Sequence, residues 1–198
     1  ISQDAMFNEM AGFSEDEVKT MVDYYIVEKV IPEQDRNRVL TTMKAVYDGY
    51  SFSSEADQTV YNSNSVLYMI HQYTKSNKMP IDVIDTNMRT DYQKLRFLVI
   101  ESHKLNGNFN LLSEVLESGE ISSELIKNFP VSDLIERDKF VSFLYYLGFL
   151  TIREQDVDRF VFTVPNEMCH EILWEYVRKA LNDAYSLELT ELNKVYAK

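Results

Sequence analysis

Cysteine is nearly absent from the chain. The single Cys169 excludes an internal disulfide, so a reducing compartment, the cytoplasm, is the expected location. Histidine is almost as sparse, and His71, His103 and His170 are too scattered for a zinc-ligand spacing. The five glycines precede Phe13, Tyr50, Asn108, Glu120 and Phe149, which leaves no Gly-Lys-Ser/Thr loop to cradle a triphosphate. A Gly-x-Ser-x-Gly nucleophile elbow is missing as well. No apolar run approaches the roughly 20 residues that cross a bilayer, so no membrane partner is expected. Positive charge is in deficit. The formal net charge is −12, with the acid excess in the first fifty residues and after residue 106, whereas the stretch between is balanced. Binding to a polyanion through released counterions needs the opposite sign, which disfavours nucleic acid as a partner.

What remains is an ordinary folding composition, 45% hydrophobic and 26% charged over 198 residues, enough for one domain or two small ones. The opening residue is Ile1 rather than Met, and the expectation is a piece of a longer polypeptide.

Helical periodicity dominates. Ser14-Glu15-Asp16-Glu17 is a capping box, followed by Val18, Met21, Val22, Tyr25 and Ile26 on one face, which predicts a helix from about 14 to 29. Pro32 starts a second helix carrying Val39, Met43, Val46 and Tyr47, with Tyr50 continuing the period and Gly49 as its stop. Ser51 to Thr59 reads as a surface loop. Ser63 or Asn64 is expected to cap a third helix bearing Val66, Met69, Ile70 and Tyr73, closed by Lys75 to Pro80. Ile81 to Ile84 reads as a short extended segment. Tyr92, Leu95, Leu98 and Val99 form another helical stripe, ending near the Asn106-Gly107 break.

Beyond that break the pattern changes. Leu112, Val115 and Leu116 mark a helix stopped by Gly119, and Phe140, Phe143, Leu144 and Leu147 one stopped by Gly148. Phe149 to Arg153 and Phe160 to Val164 are β-rich runs joined by the charged turn from Glu154 to Arg159. Asn166 then caps a long helix with Leu173, Tyr176, Val177, Ala180 and Leu181 on one stripe. The predicted fold class is mainly α with a small β-hairpin, arranged as a helical lid-like region over 1–107, a winged-helix-like domain over 108–184 and a helical tail over 185–198.

No complete catalytic site emerges. Cys169 and His170 are neighbours in sequence rather than opposed groups, and they read as a buried thiol beside a surface imidazole. Glu17-Val18-Lys19 matches a nuclease-type Glu-x-Lys pattern, but on a capped amphipathic helix it reads as solvated charge. An independent enzyme with a carboxylate site ranks last, because no convergent set of residues can be named. Two motifs stand out. Tyr47-Asp48-Gly49-Tyr50 places an acid and a glycine between aromatics at a helix end, and Val60-Tyr61-Asn62 offers a turn that Asn62 can lock and Tyr61 can anchor. For both, a capping or packing role is the favoured reading over direct ligand contact.

With these residues the chain resembles the predicted AAA-ATPase-like proteins, which are often followed by a PD-(D/E)xK nuclease-like domain. The likeness runs through Gly12-Phe13-Ser14-Glu15-Asp16-Glu17-Val18, Tyr47-Asp48-Gly49-Tyr50, Val60-Tyr61-Asn62 with Ser65-Val66, Thr86, Leu147-Gly148-Phe149-Leu150-Thr151-Ile152 and Pro165-Asn166-Glu167. Val46, Ser63-Asn64, Val83 and Asp85 depart from the tryptophans, proline and asparagine of that pattern. The resemblance implies that this chain is a lid and winged-helix coupling portion, not catalytic alone, and that a nucleotide-binding core upstream is its partner. It further implies that ATP and Mg belong to the parent protein, which is an ATPase, and that a nuclease-like domain can follow. Lid arginines of such ATPases contact phosphate, and here Arg36 and Arg38 are the candidates, the alternative being surface pairing with Glu33 and Asp35. The other reading is a winged-helix nucleic-acid-binding regulator, with Arg137 and Lys139 at the recognition helix and Arg153 and Arg159 on the wing. Against it, that helix carries Phe140, Val141, Phe143, Leu144, Tyr145 and Tyr146 where base-reading side chains need to be polar.

Overall fold

The computed structural model describes residues 8–10, 12–84, 96, 98–101 and 104–185. Helix α1 (Glu15–Val27) begins at the expected capping box, with Ser14 accepting from the Glu17 N–H while the Glu17 carboxylate reaches back to the Ser14 N–H. Val18 and Val22 point into the core. After a 3-10 turn (Glu33–Asp35) comes α2 (Arg36–Tyr47), which buries Val39, Met43, Val46 and Tyr47. The third helix, α3 (Ser63–Ser76), is capped by Asn62, whose side chain accepts from the Ser65 N–H, and not by Ser63 or Asn64 as expected. Asn62 takes the role because it is extended (φ −63°, ψ 109°), the conformation an N-cap needs, whereas Ser63 and Asn64 are already helical.

Two further expectations for this half are corrected. Ile81 to Ile84 forms no strand. Ile81 is fully exposed and Ile84 buried, with the Ile84 N–H turned onto the Asp82 carboxylate in a local bend. The helical stripe through Leu98 and Val99 does not run on to Asn106. It gives way to a short ladder of β1 (Ile100–Glu101) and β2 (Lys104–Leu105), while Tyr92 and Leu95 lie outside the described residues.

The last third holds α4 (Gly107–Ser118), β3 (Glu120–Ser123), a 3-10 turn (Val131–Asp133), α5 (Arg137–Tyr146), β4 (Thr151–Asp156), β5 (Arg159–Thr163) and α6 (Glu167–Tyr185). Gly119 ends α4 and Gly148 follows α5, both at positive φ as their positions in the sequence imply. The sheet has three antiparallel strands in the order β3-β5-β4, so the expected hairpin has a third member. The hairpin is also longer than its sequence implies. Pairing continues to Asp156↔Arg159, and the turn is only Val157 and Asp158. The fold of the described residues is thus mainly helical, as expected in class, with a small three-stranded antiparallel sheet besides the β1-β2 ladder, and a cluster of buried apolar residues runs from Val18 to Ala180. Helix α6 packs on both α4 and α2, linking the sheet-bearing part to the first helices.

Val157 sits at φ 49° with its side chain in solvent, in a backbone region that disfavours β-branched residues. Val157→Asn is expected to stabilise the protein by about 1 kcal/mol, because asparagine tolerates left-handed backbone and little apolar burial is lost. A urea midpoint that rises at unchanged slope checks it.

Candidate functional site

Five segments far apart in sequence meet where α2 ends and α6 begins. Helix α2 stops at Tyr47 because Asp48 is extended, with its Oδ1 accepting from the Gly49 N–H at 2.7 Å and from Thr59 Oγ1 at 2.8 Å. Gly49 follows the end of α2 at positive φ, as expected of a stop, with its N–H held by the Asp48 side chain. Its φ of 97° and its contact with Pro165 explain the residue: a Cβ here would lie 2.0 Å from the Pro165 carbonyl oxygen. Next to that contact the Asn166 side-chain amide donates to the Asp48 carbonyl at 2.8 Å, while the Asn166 Oδ1 caps α6 by accepting from the Cys169 N–H at 3.1 Å. Asn166 thus serves both sides of the junction.

Tyr50 runs antiparallel to Val60, exchanging backbone hydrogen bonds of 3.2 and 2.9 Å, and Tyr61 does the same with Phe13 at 2.8 and 3.1 Å. The Asn62 N–H reaches the Tyr47 carbonyl at 2.8 Å. Gly12 fits beneath Tyr61, where a Cβ would come within 2.5 Å of the Tyr61 carbonyl oxygen. Tyr47 is fully buried and donates its hydroxyl to the Val83 carbonyl at 2.5 Å. Across the seam, the Ser51 N–H and carbonyl both engage Thr151 Oγ1, at 2.6 and 3.0 Å, and Ser65 Oγ lies 3.6 Å from Met168 Sδ. The segments Gly12-Phe13, Tyr47 to Tyr50, Val60 to Asn62 with Ser65, Gly148 with Thr151, and Pro165-Asn166 all contribute to this seam. Thr86 lies outside the described residues.

A buried polar contact joins the Tyr50 hydroxyl to Cys169 Sγ at 3.2 Å, with the thiol also 3.3 Å from the Gly148 carbonyl. Burial pushes the thiol up from 9.0 to about 11, and burial followed by the neighbouring Cys169 raises Tyr50. Burial, then the charges of Asp48 and Glu15, raises Tyr61. His170 is exposed and Cys169 buried, the arrangement of a buried thiol beside a surface imidazole. In the unfolded chain the thiol ionises from about pH 9, while the folded chain holds its proton to about pH 11. The stabilisation is therefore complete below the lower value and lost as pH rises through the upper one. The expected loss is about 2 kcal/mol across that window, followed by urea midpoints, and Cys169→Ala removes the part that begins near pH 9 while the part due to the raised tyrosines remains.

Beside the seam opens a polar cleft of about 520 Å³, lined by Lys44, Asp48, Ser53, Asp57, Thr59 and Arg153 among others. Its cations are already answered: Lys44 lies 3.0 Å from Glu15, and Arg153 is bonded to Glu120. Among the described residues no group of three or more His, Cys, Asp or Glu side chains is placed to hold a metal ion. No helix among them is long and apolar enough to cross a membrane.

No family model, curated protein or solved structure matches the chain.

The remaining candidates lie away from the seam. Arg36 does not pair with Glu33 or Asp35. It forms a two-pronged ion pair with Asp23 on α1, at 2.5 and 2.9 Å, because α1 and α2 pack side by side. Arg38 is exposed on α2. Glu17 is occupied in the capping box and Lys19 pairs with Glu15 at 2.9 Å, as a solvated face requires. Arg137 and Arg159 converge on the Ser122 carbonyl of β3, at 3.0 and 3.1 Å, and also pair with Glu114 and Asp138. Lys139 is held by Asp133 and Glu136, each at 2.8 Å. The sequence pointed to Tyr47, Asp48, Gly49, Tyr50, Tyr61 and Asn62 as site residues, whereas it held Thr151 and Pro165 only as members of motif segments and Cys169 only as a buried thiol, and did not single out Thr59. Asn166 was read there as a helix cap and a motif member, not as the bridge to the Asp48 carbonyl.

Proposed function

We propose that this chain is the lid and winged-helix coupling module of an AAA-type ATPase, acting in the cytoplasm and without a catalytic site of its own. The observation that carries this reading is the seam. Motif segments from residue 12 to residue 167 are spent on joining the first helices to α6, and their polar groups satisfy one another instead of facing a substrate. A part that transmits motion needs such a rigid joint. The order α4-β3-α5-β4-β5, with β5 between β3 and β4, supports a winged-helix reading of 108–184. On this proposal ATP and Mg are held by an upstream nucleotide-binding core of the same polypeptide, and a nuclease-like domain can follow.

Nucleic-acid binding is the weaker reading. Arg137, Lys139, Arg153 and Arg159 each already neutralise a carboxylate, and α5 buries Phe140, Val141, Leu144 and Tyr145. Titration calorimetry of this chain with Mg-ATP is expected to show no binding. A nanomolar dissociation constant overturns the proposal, and a steep salt dependence of binding to mixed duplex in fluorescence anisotropy favours nucleic acid instead.

A further inference from the structure

Asn106-Gly107 stands outside the seam, and the function proposed above makes no use of it. Asn106 precedes α4 in an extended conformation (φ −102°, ψ −175°). Its Oδ1 accepts from the Asn108 N–H at 3.0 Å and the Phe109 N–H at 3.3 Å, and its Nδ2 donates to the Leu98 carbonyl at 2.9 Å. Buried Asn108 donates to the same Leu98 carbonyl at 2.8 Å and to the Leu134 carbonyl at 2.7 Å. The two amides therefore tie the end of the 98–99 helical turn, the start of α4 and the approach to α5 into one joint. Gly107 has open space on the side where a Cβ would project.

An asparagine followed by glycine is chemically exposed, since no Cβ hinders the next backbone nitrogen from reaching the side-chain carbonyl carbon. We propose that Asn106 is a site of spontaneous deamidation, that the closed joint suppresses the reaction, and that the modification permanently loosens the joint once it has opened. Hydroxide removes the Gly107 amide proton, and the nitrogen attacks Asn106 Cγ. The new N–Cγ bond forms as the Cγ–Nδ2 bond breaks, and Nδ2 leaves as ammonia after taking a proton from water. The resulting succinimide adds water at either ring carbonyl and opens to aspartate or isoaspartate, with no change of oxidation state. Attack makes Cγ tetrahedral, which moves Oδ1 and Nδ2 off all three of their partners, so the reaction proceeds from the opened joint. Either product loses the donor to Leu98. Isoaspartate also lengthens the main chain by one carbon at the first turn of α4, which displaces the cap.

The test is peptide mapping by mass spectrometry of the chain aged at mildly alkaline pH, folded and in urea, following the gain of about one dalton at Asn106. Conversion is expected to be at least about tenfold slower in the folded protein, and to accelerate in urea too dilute to unfold it. Gly107→Ala, which meets no neighbouring atom, is expected to keep the fold and slow conversion in urea by about tenfold. Equal rates for folded and unfolded chain overturn the protective role of the joint, and an unaltered rate in Gly107→Ala overturns the site.

Discussion

Gly49→Ala is expected to lower the free energy of unfolding by about 3–5 kcal/mol, enough to leave little folded protein if the chain is of ordinary stability. Two causes add. The residue sits at φ 97°, and the new methyl would be placed 2.0 Å from the Pro165 carbonyl oxygen, which cannot retreat without pulling the start of α6 away from the end of α2. Gly119→Ala separates the two. Its φ is 79° but nothing lies near its Cβ position, so only the backbone cost of about 1 kcal/mol is expected. Equilibrium urea unfolding of both variants decides the matter, and equal losses would show that the seam yields to the extra methyl.

Tyr50→Ala is expected to cost about 3–5 kcal/mol, since a nearly buried ring is removed from between two parts of the core. Tyr50→Phe keeps the ring and loses the hydroxyl with its contacts to Cys169, Asn166 and Asn62, at about 1–2 kcal/mol. The contrast tests whether Tyr50 acts by filling space or by its polar end, and a Phe variant as damaged as the Ala variant would assign the effect to the hydroxyl. Because Tyr50 touches residues of α6, the Ala variant is also expected to broaden the unfolding transition, as the first helices and the sheet-bearing part lose their mutual support.

Features encoded within one turn of chain were legible in the sequence. The Ser14 capping box, the Asn166 cap, the Gly119 and Gly148 stops and the stripe of α6 all depend on neighbours three or four residues away. β3 was not legible. Ile121 is the sole apolar residue in Glu120–Ser123, and the other inward position is Ser123, buried against Asp138, so alternation leaves almost no hydrophobic signal. The far half of β4 was missed for a related reason: from Glu154 to Asp156 it stands in solvent and its polar residues read as a turn. Within the seam, the tyrosines and Asp48-Gly49 announced themselves by residue type. Their partners did not, since Pro165, Thr151 and Cys169 reach them only through the packing of α6 and the sheet on α2, which no local pattern encodes.

The strand order carries a consequence for how the chain is made. Among the described residues β3 pairs with β5 alone, yet 35 residues separate the end of one from the start of the other, Ser123 and Arg159. On a ribosome, where synthesis runs from the N-terminus, β3 emerges with both edges bare and α5 follows with its aromatic face uncovered. Neither can settle until residue 163 has left the exit tunnel, so a polypeptide truncated before Arg159 exposes an adhesive surface that the finished molecule conceals.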